Sequence, residues 1–511
     1  MGENAAESET TPDGCSNERR TVTGGIAPEA EDCFGRSQET ANPGPCSHRK
    51  NNGAAEATDC HPMTPRRTIP AVARVLDALG DSDLPRPLVT RMVRQHLAEV
   101  RAQSEIPAFN EIVRTARMRL ALIARSRLRP IINGTGIILH TNFGRAPLGV
   151  RAVRALTEIA ANYNNLEYDL GSGGRGRRGA SLESALALVC QSEAATVVNN
   201  CAAALVLIVR HFTRTKPEVI ISRGELVQIG GGFRIGEIVE ASGATLREVG
   251  ATNKTTVDDY AASVGPRTGL ILRVHQSNFL MSGFAGAPAN GQIAELARAR
   301  RVPFVTDLGS GAVVPSGKIR LFQGEPAPAE TLKEGAALVC FSGDKLLGGP
   351  QSGIIAGKKK LIDALKREPL FRALRCDKLV FASLQATVDA HLQRDWAEIP
   401  AIHLLQVPLD SLRERAEAIV RRLADLPLKI RIVASTGEMG GGTLPDAIIS
   451  SVALELRCES ISPDELARRL RTATRPVIGY IVRGRYLLDL RTIFPEQDEA
   501  VVSTVRKCLT S

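Results

Sequence analysis

Lys345 stands where an apolar run gives way to glycine, in Val339-Cys340-Phe341-Ser342-Gly343-Asp344-Lys345-Leu346-Leu347-Gly348-Gly349-Pro350. Residues 336–341 have the length and composition of a buried strand, so the lysine falls at a strand end. A lysine in a loop is ordinarily only a surface residue. The stretch upstream changes that reading. Phe304-Val305-Thr306-Asp307-Leu308-Gly309-Ser310-Gly311 is a second apolar run ending in an acid and glycines, and Asp307 precedes Lys345 by 38 residues. Strand, aspartate, crossover, strand, lysine is the order in which pyridoxal phosphate is held. The lysine forms a Schiff base with the cofactor aldehyde, and the aspartate keeps the pyridinium nitrogen protonated so that the ring accepts electrons.

Other candidates fall at other strand ends. Asn199-Asn200-Cys201-Ala202 joins a strand to a helix, where backbone N–H groups suit the cofactor phosphate. Ser342 can add a hydroxyl to the same phosphate, and His275 closes another strand. Arg372 and Arg375, at i and i+3, would share a helix face and clamp an oxyanion; otherwise they are ordinary surface arginines. Residues 132–145 are dense in Gly and Asn, which suggests a loop shaped around a ligand, with Arg145 as an anion contact. The glycine- and arginine-rich stretch 171–179 lacks the Gly-Lys-Ser/Thr ending of a phosphate loop. It reads as a cradle or as a flexible basic linker.

These residues need a scaffold, and strand-like and helix-like stretches alternate through 129–385. Strands are expected at 196–199, 218–222, 245–249, 270–275, 302–307 and 336–341, with helices at 182–190, 202–212, 257–264 and 291–300. Such alternation predicts an α/β domain with a mainly parallel sheet, and ligands at the carboxyl ends of its strands. Residues 386–511 predict a smaller α+β domain, with helices at 384–399, 411–423 and 462–471 and strands at 430–434, 448–456 and 486–489. Residues 66–128 show helical apolar spacing in three segments, with an arginine excess and no lysine. Arg114, Arg117, Arg125, Arg127 and Arg129 could line one side against a phosphate backbone, although a packing or oligomerisation domain reads equally well. Residues 1–65 show no periodic apolar face and read as a disordered acidic tail.

The chain of 511 residues is 43% hydrophobic, enough for a large core. Its net charge of +10 is uneven: residues 1–60 carry −6, leaving +16 on the rest. That balance suits an anionic partner such as nucleic acid or phosphate, or is a solvated basic surface. No apolar run spans a bilayer, and the amino terminus lacks the regions of a secretory signal. The ten cysteines form no Cys-x-x-Cys, so reduced thiols in the cytoplasm are expected. Cys15, Cys33, Cys46 and Cys60 with His48 and His61 are too irregularly spaced to suggest a metal, and none is expected.

Taken in order, several stretches resemble bacterial selenocysteine synthases, the L-seryl-tRNA(Sec) selenium transferase family. They are residues 132–148 (INGTGIILHTNFGRAPL), 165–170 (NLEYDL), 222–237 (SRGELVQIGGGFRIGE), 250–255 (GATNKT), 306–313 (TDLGSGAV), 341–355 (FSGDKLLGGPQSGII), 475–479 (RPVIG) and 487–492 (LLDLRT). The resemblance runs from about residue 66 to the carboxyl terminus. It implies a fold-type I pyridoxal-phosphate enzyme with an amino-terminal tRNA-binding domain, working as a large homo-oligomer with active sites between subunits. By motif, Lys345 is the Schiff-base lysine and Asp307 its pyridinium partner. Arg145, Arg372 and Arg375 hold selenophosphate, and Asp344 assists. The implied reaction is β-replacement on seryl-tRNA(Sec), with no DNA or membrane partner. The chain departs from the family pattern at Ser181, Cys201, Gln228 and Gln276, where His, Asn, Glu and Thr are usual. Two other classes compete: a related pyridoxal-phosphate lyase for a small phosphorylated or amino-sugar substrate, and a non-catalytic tRNA-binding protein.

Overall fold

A computed structural model describes residues 69–314 and 318–510. The expectations for residues 1–65, including the cysteine and histidine positions there, lie outside the described residues. The chain divides into two compact units that part between Pro130 and Ile131.

The first unit is a helical trio: α1 Val72–Leu79, α2 Arg86–Arg101 and α3 Phe109–Ser126. Apolar positions three and four apart give each helix one buried stripe, and Val75, Val93, Leu97, Ile112 and Ala116 close the core. Pro87, in the first turn of α2, needs no amide partner there. His96 is buried beside the Ile112 carbonyl, 3.2 Å away, and burial holds its pKa below the ordinary value. Arg114, Arg117 and Arg125 are exposed on α3, whereas Arg127 and Arg129 follow the end of the helix.

The second unit is built on a seven-stranded sheet. Its strands are β1 Ala194–Val198, β2 Glu218–Ser222, β3 Thr245–Val249, β4 Thr268–Val274, β5 Phe304–Gly309, β6 Leu338–Ser342 and β7 Gly353–Gly357. Their spatial order is β1-β7-β6-β5-β4-β2-β3. All neighbours are parallel except β7, which runs antiparallel to both β1 and β6. The strands are apolar on both faces, because a separate buried cluster lies on each side of the sheet. Helices cover both faces, among them α4 Cys201–Phe212, which follows β1.

The six expected strands form within a few residues of the expected bounds. The strand at β7 was not anticipated: it is short, bounded by glycines, and lacks the alternation that marks a strand. The helix expected over 384–399 instead runs Lys378–Gln393. Asp377 caps its start by accepting from the amides of Leu379 and Val380, at 2.8 and 3.0 Å, and Arg394 ends it in the left-handed region. Stretch 171–179 is neither linker nor phosphate cradle. Its first residues turn a hairpin that pairs Tyr168–Asp169 with Gly174–Arg175, and Arg175 and Arg178 both pair with Glu167.

A smaller antiparallel sheet completes the unit: β8 Lys429–Gly440, β9 Thr443–Arg457, β10 Tyr480–Val482 and β11 Arg485–Asp489, ordered β8-β9-β11-β10. Stretch 132–139 threads along it. Gly134 N–H donates to Ile478 O at 2.7 Å, and Leu139 N–H to Met439 O at 2.7 Å. Asp489 braces the crossing, accepting from Ser435, Ser451 and the Arg491 amide and donating its own N–H to Gly134 O.

Gly353 tests how tightly β7 is seated. A Cβ there would come 2.1 Å from Asn200 O, at the turn into α4, whereas one at Gly230 meets nothing within 4 Å. Gly353→Ala should therefore cost about 1–3 kcal/mol, read as a lowered melting midpoint. Gly230→Ala should change stability by no more than about 0.5 kcal/mol.

Candidate active site

β5 and β6 are adjacent and parallel, with Asp307 opposite Cys340 in register, so the two side chains share one face of the sheet. Lys345 follows three residues after β6 ends. Its loop is held from both sides: Leu346 N–H donates to Ser310 O at 3.0 Å, and Gly343 N–H to Ser352 O at 2.9 Å. Buried His391 also contacts Leu347 O at 2.8 Å. Burial pushes its pKa down to about 4, so the neutral ring donates Nε2–H to that carbonyl.

Asp307 is buried. Its Oδ1 accepts from the Gly309 amide at 3.0 Å and from the Cys201 thiol at 3.4 Å. Burial raises its pKa, and those two hydrogen bonds act in the opposite direction. The Cys340 thiol is pushed well above its ordinary range by its hydrogen bond with Cys201 and by burial, so it remains a thiol. The ligand atoms of Cys201, Asp307 and Cys340 lie within 4.8 Å of one another, the make-up of a soft-metal site. With Cys340 a thiol and Cys201 donating to the carboxylate, the cluster is a hydrogen-bonded carboxylate seat. Cys340 has no sequence signal of its own; only the β5–β6 register reveals it.

Burial also lowers the Lys345 pKa. Arg145 adds to that effect, while Asp307 and Asp344 oppose it. Burial thus favours the neutral, nucleophilic form of the amine over the ammonium, relative to an exposed lysine. Arg145 reaches the site because the 132–145 stretch docks on the lysine loop, with Ala146 N–H donating to Asp344 O at 3.3 Å. The Arg145 guanidinium meets the two carboxylate oxygens of buried Asp344 at 3.2 and 3.1 Å. Arg145 adopts φ 63°, a left-handed backbone that a non-glycine residue takes only under constraint. Gly309, at φ 64°, clears the space before the amine: a Cβ there would stand 3.9 Å from Lys345 Nζ and 3.3 Å from Ser277 Oγ.

The remaining expected residues fall into two groups. Ser342 ends β6 and is buried, and His275, following β4, donates its N–H to Asp307 O at 2.8 Å. Asn200 caps α4 by accepting from the Ala203 amide at 2.8 Å, so its side-chain oxygen is engaged. That leaves the Cys201 and Ala202 amides in the first turn of the helix for an anion. Asn199 is exposed, and its N–H donates to Leu374 O at 3.0 Å. Arg372 and Arg375 do not share a helix face. Their helix, α5 Pro369–Ala373, ends before Arg375, and Leu374 leaves the helical conformation. Both arginines are exposed, and Arg375 lines a small cavity with Arg177, Arg178 and Lys366 rather than with Arg145. Of the departures from the family pattern, Gln276 donates to Gly224 O at 2.6 Å, Gln228 accepts from Asn278 at 2.7 Å through its backbone carbonyl, and Ser181 is exposed in a cavity beside Phe381.

This constellation fits pyridoxal phosphate. It offers a depressed-pKa lysine, a buried carboxylate at the neighbouring strand end, helix-start amides, and a glycine that keeps the intervening space open.

The family model described as L-seryl-tRNA selenium transferase matches residues 131–494. The L-seryl-tRNA(Sec) selenium transferase of Carboxydothermus hydrogenoformans is 41% identical, covering 84% of this chain and 95% of the relative. That of Aquifex aeolicus is 37% identical, covering 87% and 99%. Among solved structures, D-glucosaminate-6-phosphate ammonia-lyase aligns over 75% of this chain and 96% of its own, with a TM-score of 0.53 and 18% identity. That likeness concerns the fold, which is the fold-type I architecture of pyridoxal-phosphate enzymes.

The charges around Lys345 make a signed prediction. Reductive trapping of pyridoxal phosphate on the protein should depend on pH with a midpoint below the ordinary lysine value of 10.5. Asp344→Asn removes an anion that favours the ammonium and should lower the midpoint further. Arg145→Gln removes a cation that disfavours it and should raise the midpoint.

Proposed function

Because the chain belongs to the L-seryl-tRNA selenium transferase family, we propose that it converts L-seryl-tRNA(Sec) to L-selenocysteinyl-tRNA(Sec). Selenium from selenophosphate replaces the seryl β-hydroxyl, with pyridoxal phosphate as cofactor. The observation that carries this reading is the convergence of buried Asp307, low-pKa Lys345 and Asp344-anchored Arg145 at neighbouring strand ends.

Lys345 would hold the cofactor aldehyde and Asp307 its ring nitrogen. The Cys201 and Ala202 amides, with Asn199, Asn200 and Ser342, would surround its phosphate, and His275 would lie against its ring. Bound there, the cofactor withdraws electrons from the seryl Cα, so that the Cα proton and the β-hydroxyl can depart. Lys345, once free of the aldehyde, would be placed to take the Cα proton. Burial favours that role, because a neutral amine is a base and an ammonium is not. Asp307, denied water and holding Cys201 and Gly309 on one oxygen, would offer its carboxylate to the ring N–H. Arg145, oriented by Asp344, would attract the selenophosphate dianion, and Arg372 and Arg375, which lie apart from Arg145 within one chain, would join that grip only across an active site shared between subunits. The β-hydroxyl leaves as water, selenium bonds Cβ, and a water molecule splits the phosphorus–selenium bond to release phosphate.

The helical unit, with Arg114, Arg117 and Arg125 exposed on α3, would take the tRNA backbone. A cytoplasmic homo-oligomer with shared active sites belongs to the same reading. Among the described residues, no helix is long and apolar enough to cross a membrane. Neither the small-molecule lyase nor the non-catalytic reading is favoured, since relatives at about 40% identity over most of the chain carry the transferase name.

Purified protein with pyridoxal phosphate and selenophosphate should form selenocysteine on seryl-tRNA(Sec) and none from free serine. Lys345→Ala should abolish turnover while leaving tRNA binding in place. Full activity in that variant, or product from free serine alone, would refute the mechanism.

A further inference from the structure

A cavity of about 760 Å³ opens past the end of β4, with His275 on its wall. Through its amide His275 touches Asp307, so the cavity adjoins the reacting centre. Its polarity is graded. Glu325, on the wall, is buried, whereas Lys254 and Arg320 are exposed. Glu325 Oε2 lies 3.4 Å from His275 Nε2, and its Oε1 is buried with no hydrogen-bond partner. A carboxylate oxygen cut off from both water and donors calls for a ligand hydroxyl or amine. Phe279, half-buried, adds an apolar face. A third cation on the wall, Arg273, is already engaged by Glu225, Pro288 O and Asn290, which leaves Arg320, and Lys254 over the Phe284 ring, without a carboxylate partner among the described residues to compete with an incoming anion.

We infer that this cavity receives the terminal nucleoside of the acylated tRNA. A ribose hydroxyl donates to Glu325 Oε1, the base lies against Phe279, and the adjoining phosphate meets Lys254 and Arg320. The inference rests on the proposed function and gives its substrate a seat. An aminoacyl group esterified to a ribose can reach Lys345 only if that ribose lies next to the cofactor, and the acid-inward, cation-outward order matches a nucleotide entering sugar first. The volume lies in the range of small-molecule sites. The same contacts explain the expected failure of free serine, which has nothing to fill the cavity.

The test is steady-state kinetics on the full-length holoenzyme, with the trinucleotide CCA as competitor. Wild-type protein should be inhibited competitively with respect to seryl-tRNA(Sec). Glu325→Gln should raise KM for seryl-tRNA(Sec) about tenfold, with kcat nearly unchanged, and weaken CCA inhibition in parallel. The exposed pair Lys254→Ala and Arg320→Ala, which leaves the core intact, should raise KM and flatten its dependence on salt. An unaltered cofactor absorbance band in each variant would show that the fold is kept. If wild-type protein turns over seryl-tRNA(Sec) but CCA does not compete and these variants keep the wild-type KM, the cavity assignment is wrong while the activity stands. A change in oligomeric mass in these variants, with KM unchanged, would assign the cavity to a second copy of the chain and overturn the inference. Absence of turnover by wild-type protein would overturn the function and the inference together.

Discussion

Taking a carboxylate and an amine out of water at the same place raises the free energy of both charged forms, and this protein does so at the ends of two adjacent strands. The effect is visible in opposite directions: the Asp307 pKa is raised and the Lys345 pKa is lowered, each by burial first. Each shift carries a use. A lysine that gives up its proton readily can bond an aldehyde and then act as a base. In the proposed reading, a carboxylate held by donors and shielded from water would seat the ring nitrogen. Much of the surrounding structure serves to keep the pair dry and in place.

Four features share that task. The β5–β6 register sets Cys340 beside Asp307, and the start of α4 brings Cys201 to its oxygen. The antiparallel strand β7 wedges between β1 and β6 and reaches the α4 turn so closely that only glycine fits at 353. Helix Lys378–Gln393 contributes His391, whose neutral ring fastens the lysine loop. These contacts are backbone-directed or buried, which suits a site whose geometry has to survive the arrival of a large substrate.

The small sheet has a less evident part. Stretch 132–139 runs along it, and the chain then turns to place Arg145 against Asp344. The Asp-Leu-Arg segment at 489–491 is buried and bonded within the chain. Asp489 gathers Ser435, Ser451 and Gly134, while Arg491 donates to Leu404 and Val407. The segment is thus a brace for the stretch that leads to Arg145.

Much of the arrangement was legible in the sequence. Apolar runs closed by Asp307 and Lys345, with helical spacing between strands, specify a parallel α/β sheet, because hydrophobic periodicity and glycine breaks are local properties. The motif series in order singled out Arg145, Asp344 and the family. Tertiary structure alone decided the rest. Glycine-bounded β7 becomes a strand only because two neighbours are there to pair with it. Arg372 and Arg375 part company because a helix stops two residues early. Cys340 and Glu325 gain meaning only when the sheet register and the 320–325 segment set them against Asp307 and His275. Local patterns record what each segment can form, but pairing, register and burial depend on residues far apart in the chain, and the opposite pKa shifts of Asp307 and Lys345 follow from burial.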